Sequence, residues 1–214
     1  LGDRAKVMRV EAALGQSLMA AAAYSDAEAY LGPHSVSQSQ DNLVGRAYSV
    51  ANWSAIQADR GQFGKANAAI ELALEPLGDK PRAVTGSVLT LNMLILIWQG
   101  RWTEAEFLGQ RAESVAHRVE SLYLLCTSMA LRNYAEWRRS RMVGARRKIQ
   151  HATRILEDRG RELFLSLYHG YLAEIAQHES DGPALRRAVG QALQRARQRE
   201  ARHGLEQLGE AHQR

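Results

Sequence analysis

Small and apolar residues return along this chain at a nearly constant interval. Ala27, Ala66, Ala105, Ala145 and Leu185 lie 39, 39, 40 and 40 residues apart. Ahead of each stand a small residue and, two places on, an aromatic or bulky one: Ala22 and Tyr24, Gly61 and Phe63, Gly100 and Trp102, Ser140 and Met142. The fifth copy, Ser180 and Gly182, is degenerate. Seven residues beyond the last four anchors come Ala73, Ala112, Ala152 and Ala192. Seven residues make two helical turns, so the paired alanines share a face and let a second helix approach closely. In the first copy the slot holds His34, just behind Gly32 and Pro33, which ends that helix early. A fixed period in this range is the sign of stacked helical hairpins.

The pattern predicts an all-α chain of ten helices in five pairs: 3–21 with 25–31, 42–60 with 63–76, 82–99 with 103–117, 121–139 with 142–158, and 161–178 with 183–203. The units are therefore 3–31, 42–76, 82–117, 121–158 and 161–203 of one repeat domain covering 1–214, stacked as a right-handed α-solenoid. Beyond them, 204–214 places Leu205, Leu208 and Ala211 on one face, as the start of a further helix would. The most apolar stretch, VLTLNMLILIW at 88–98, is too short to span a bilayer and reads as a buried helix. GPHSVSQSQDN, 32–42, reads as an exposed connection, and Pro81 suits the opening of a helix.

Composition agrees, with 45% hydrophobic residues and only four prolines. Charge is uneven. Residues 1–131 carry 11 basic against 13 acidic side chains, whereas 132–214 carry 17 against 10, with arginine clusters at 138–141, 145–148 and 195–202. A basic stripe can follow phosphates, but the last cluster has no interleaved aromatics for base stacking, which makes nucleic acid the weaker reading beside a solvated face or an acidic protein neighbour. The single cysteine, Cys126, sits in the apolar run LYLLC and reads as core. With no membrane span and no signal peptide, a cytoplasmic location is expected; without an initiator methionine, the chain is expected to be an excised piece whose ends abut other parts of a parent protein.

Catalytic chemistry is hard to assemble. RGQFGKA, 60–66, contains Gly64-Lys65, yet a phosphate-binding loop needs glycine where Asp59 stands and a hydroxyl where Ala66 stands. An aspartate repels phosphate and an alanine holds no magnesium, so the stretch reads as a helix corner. The seven histidines include no H-E-x-x-H, and His169 and His178, nine apart, point to opposite sides of one helix. No enzyme, cofactor or metal is expected.

GQFGKA with AIELAL, and GRWTEA with FLGQRA, resemble the tetratricopeptide repeat, whose consensus places glycine, an aromatic, alanine and a second alanine in this order. The period exceeds that family's usual 34 or so. Longer units near this length are similar to the arrays of large bacterial signal-transduction ATPases and ATPase-linked adenylate or guanylate cyclases, with ESLYLLCTSMALRNYAEWRRS and DRGRELFLSLYHGYLAEIA most alike. The resemblance implies a protein-interaction or effector-sensing module that regulates a neighbouring signalling domain, its partner a protein, a peptide or another domain of the parent. The first helix of each pair is then expected to line a concave groove, with Tyr48, Asp59, Thr90, Asn133, Trp137, Glu174 and His178 facing inward. Trp137, like Trp53, Trp98 and Trp102, reads first as packing between helices, because aromatics near repeat corners are structural by default. Two alternatives stand beside this reading: a spacer that self-associates through uncapped ends, and a nucleic-acid-binding array.

Overall fold

The computed structural model describes residues 24–31, 43–78, 80–161 and 163–211. Among them every regular element is helical: α1 Tyr24–Leu31, α2 Leu43–Asp59, α3 Phe63–Leu74 with a 3-10 turn at Glu75–Leu77, α4 Ala83–Trp98, α5 Trp102–Arg118, α6 Leu122–Ser140, α7 Ala145–Asp158, α8 Leu165–His178 and α9 Gly182–Ala211. The expected helix 3–21 and the connection 32–42 lie outside the described residues. α2 packs on α3, α4 on α5, α6 on α7 and α8 on α9, each pair across a short turn; α2 also meets α4, and α4 meets α6.

Five corners share one backbone solution. A helix ends with unsatisfied carbonyls, and one residue in the left-handed region lets the next amides turn back onto them. At Gly61 (φ 75°) the amide of Gly61 bonds to Ala58 O and that of Gln62 to Gln57 O, at 2.9 and 2.8 Å. The same pair of bonds recurs around Gly100, Glu120, Gly160 and Ser180, all at positive φ. Glu120 and Ser180 hold this conformation without being glycine, which only the packed helices on either side can enforce. Arg141 (φ 53°) closes α6 with a single bond to Trp137 O, a simpler cap.

The alanine pattern is seated as its spacing demands. Ala27, Ala66, Ala73, Ala105, Ala112 and Ala152 are fully buried and Ala145 nearly so. The last unit departs from it. On α9 the buried residues are Ala184 and Ala188, with Leu185 and Ala192 partly exposed, so its inward face is set one residue earlier than the sequence alignment places it. That helix also runs unbroken through Gly204, where a new helix was expected to begin. Two starts fall later than expected: α7 opens at Ala145 behind Gly144 (φ 92°), and α8 at Leu165 behind Phe164 (φ 67°). Apolar periodicity alone does not register a left-handed N-cap.

Glycine also sets the closest helix approaches. A Cβ on Gly109 of α5 would stand 2.6 Å from Arg132 Cβ on α6, whereas one on Gly64, in the first turn of α3, would meet nothing within 4 Å. The same substitution therefore has opposite signs. Gly64→Ala should raise stability by a few tenths to about 1 kcal/mol through helix propensity and a stiffer unfolded chain. Gly109→Ala should lower it by about 1–2 kcal/mol, since overpacking outweighs the propensity gain. Chemical denaturation of the two variants checks the pair.

Candidate functional site

A cleft of about 550 Å³ opens where α2, α8 and α9 converge on α4 and α6. Its walls follow from the helix ends. Asp59 closes α2, Trp98 closes α4, and Tyr134 lies nearly two turns short of the end of α6. Phe164, the left-handed residue ahead of α8, inserts between them and packs on both main core clusters, as Trp98 does. An aromatic at positive φ is a costly conformation held by its surroundings, and such residues gather at binding sites. Leu193 and Ala196 of α9 cover the remaining side.

The floor is a stack of phenols. Tyr134 and Tyr171 lie 3.6 Å apart between ring centroids and 8° from parallel, and Trp137 extends the stack beyond Tyr134. Tyr134 donates its hydroxyl to Glu174 Oε2, and Arg138 donates to Glu174 Oε1 at 2.7 Å, so the carboxylate is fixed from two sides. The Arg138 guanidinium lies over the Trp102 ring, 4.5 Å from its centroid. Burial, then the hydrogen bond to Glu174, pushes the Tyr134 phenol up to about 12. Burial raises Tyr171 well above the ordinary phenol range. Its hydroxyl is buried with no hydrogen-bond partner although its ring lines the cleft. An orphaned buried hydroxyl costs about 1–3 kcal/mol, which a ligand atom can recover.

The expected groove residues divide. Asp59 and Glu174 are brought together on this cleft. Trp137 is buried behind it, edge-on to His178 at 5.5 Å and beneath the Arg141 guanidinium at 4.3 Å; His178 itself is exposed at the end of α8. Thr90 and Asn133 do not reach the surface. Thr90 donates to Gly86 O at 2.8 Å and stands 3.3 Å from the Ser128 hydroxyl, at the crossing of α4 and α6. Asn133 is fully buried and donates to Met129 O. Tyr48 is half-buried against the core of α2 and its neighbours. The sequence reading missed Trp98, Tyr134, Phe164 and Tyr171. One signal was available, since Trp98 follows Asp59 by one 39-residue period and Glu174 follows Tyr134 by one of 40.

Cys126 is buried, and burial raises its thiol. Among the described residues no three His, Cys, Asp or Glu side chains gather as a metal site would, and no helix is long and apolar enough to cross a membrane. No family model, curated protein or solved structure matches the chain.

The phenol stack carries a pH signature. A group whose pKa is raised by folding favours the folded state fully below its unfolded pKa, near 10 for tyrosine, and loses that contribution as pH rises through its folded value. Tyr134 should therefore leave stability level up to about pH 10 and erode it between about 10 and 12. Ultraviolet phenolate absorbance, followed with helix content, should show its titration delayed past the ordinary phenol range near 10 and close to unfolding.

Proposed function

We propose that the chain is an interaction module of tetratricopeptide-like architecture, whose cleft between α2, α8 and α9 receives a short protein segment and thereby regulates a neighbouring signalling domain. The observation that carries this reading is the combination of an aromatic, apolar floor with a buried unpartnered phenol, Tyr171, and two carboxylates, Asp59 and Glu174, at one cleft. Such a site suits an apolar side chain flanked by a cationic one. The apolar part displaces water from the Trp98, Phe164 and Tyr171 surfaces, while the cation meets Asp59 at the rim. The cleft's volume admits one or two side chains of a peptide, so the anchor is local.

The charge pattern weighs against nucleic acid as the main partner. Arg60, Arg132, Arg138, Arg139, Arg146 and Arg195 are each bound by carboxylates of the chain itself, which leaves fewer cations for a phosphate track. The self-association reading keeps one observation in its favour: Val189 and Leu193, one helical turn apart on α9, are 40% and 52% exposed. Light scattering over a range of concentrations separates the two. A mass that rises with concentration and is held at the monomer by Leu193→Glu supports association through α9.

The test of the main reading compares synthetic peptides that combine leucine or phenylalanine with arginine against versions in which glutamate replaces arginine, followed by tryptophan fluorescence. Basic-apolar peptides should bind. Asp59→Lys should weaken them by severalfold, up to about tenfold, because attraction becomes repulsion at an exposed rim. Tyr171→Phe should weaken them by a smaller factor while leaving thermal stability level or higher, because it removes an orphaned hydroxyl. Equal binding of acidic and basic peptides, or indifference to Asp59→Lys, overturns the proposal.

A further inference from the structure

A second cleft lies on the other side of α8, between α7 and α9, with a volume of about 310 Å³. These two helices do not pack on each other; both lean on α8, and the gap between them is polar. Ion pairs tie it at both ends. Near the start of α7, Arg146 bonds Glu179 and, at 2.8 Å, Asp181 just ahead of α9. Near the end of α7, Glu157 takes Arg195 of α9 at 3.1 Å. Between these ties α7 contributes Gln150 and Arg154, one turn apart, and α9 contributes Arg187 and Gln191, again one turn apart. Each helix thus offers one guanidinium and one amide to the same gap.

The charges in the gap are unbalanced. Glu157 is already engaged by Arg195 and by His169 Nε2 at 3.1 Å, and Arg146 has its own carboxylates. Among the described residues Arg154 and Arg187 have no carboxylate within ion-pair distance, although Arg187 lies in the field of Asp181. The floor supplies an independent sign. His169 is only 3% exposed, and its second ring nitrogen, Nδ1, is buried without a partner. With Nε2 committed to Glu157, that nitrogen is a polar atom at the floor which the protein itself leaves unsatisfied.

We propose that this gap is a binding site for a phosphate-bearing small molecule, with Arg154 and Arg187 holding the phosphoryl oxygens from opposite walls, Gln150 and Gln191 donating amide hydrogens, and His169 meeting a hydroxyl of the ligand at the floor. The guanidinium fork matches phosphate geometry, and two forks lining one gap from different helices exceed what one surface arginine offers. Because the ligand bridges α7 and α9, both of which lean on α8, it would fix their separation. The gap is small among ligand sites, roughly 300–1,000 Å³ in general, so it admits a phosphate with a compact body and not an extended chain.

The experiment is calorimetric titration of the protein with inorganic pyrophosphate, and separately with citrate, at constant ionic strength. Pyrophosphate should bind saturably at one per chain. Arg154→Gln and Arg187→Gln should each weaken it by about tenfold or more, the scale of a lost charge-assisted hydrogen bond. Arg147→Gln, an exposed arginine on the same helix outside the gap, should leave binding unchanged. Both gap positions are solvent-reached, so their variants are expected to fold; circular dichroism verifies this. Absence of saturation, equal loss in the Arg147 variant, or equal affinity for citrate overturns the assignment.

Discussion

The helix Ala83–Trp98 cannot stand at the edge of anything. Twelve of its sixteen residues are buried, and they fall on all sides of the cylinder, so the helix has no polar face to give to water. The only stable place for it is inside a ring of other helices, and it is ringed by α2, α3, α5 and α6. Its side chains enter all three apolar clusters: Val88, Leu91 and Ile95 in one, Met93, Leu94, Leu96 and Ile97 in another, Leu89 in the third. The other helices need bury only one stripe each. They can do so because α4 presents apolar surface in every direction, and the positions of α2 and α6, hence of Asp59 and Tyr134, follow from it.

Much of this was written in the sequence. The alanine spacing located helix contacts because no larger residue fits where backbones cross, and Gly61 and Gly100 marked corners because glycine accepts the left-handed region freely. Where the corner residue is Glu120 or Ser180, the conformation is imposed by packing and leaves no compositional trace. The same limit explains the late start of α8: Phe164 reads as a helix-compatible apolar residue, and only the surrounding helices force it out of the helical region.

The cleft was less legible than the fold for a related reason. A repeat alignment assigns inward positions as though every unit were alike, yet Thr90 and Asn133 sit at helix crossings, where their hydroxyl and amide are spent on the backbone of their own helix. Asp59 and Glu174 were found because each lies within a turn or so of a helix end, where side chains clear the crossing. Tyr134 and Tyr171 were missed because a stacked pair is a fact about two helices at once. Their separate sequences give no hint that the rings will lie parallel.

Phe164 and Trp98 have one further implication. A row of helix pairs that touched only successive neighbours would behave as a one-dimensional chain, able to melt from either end a unit at a time. Here Phe164, from the turn before α8, rests against the cluster built on α2, α3 and α4 as well as its own. Such a contact between distant segments raises contact order and slows the search for the native state. It also ties the stability of the early helices to that of the late ones, since neither cluster can open at Phe164 without exposing the other's ring contact.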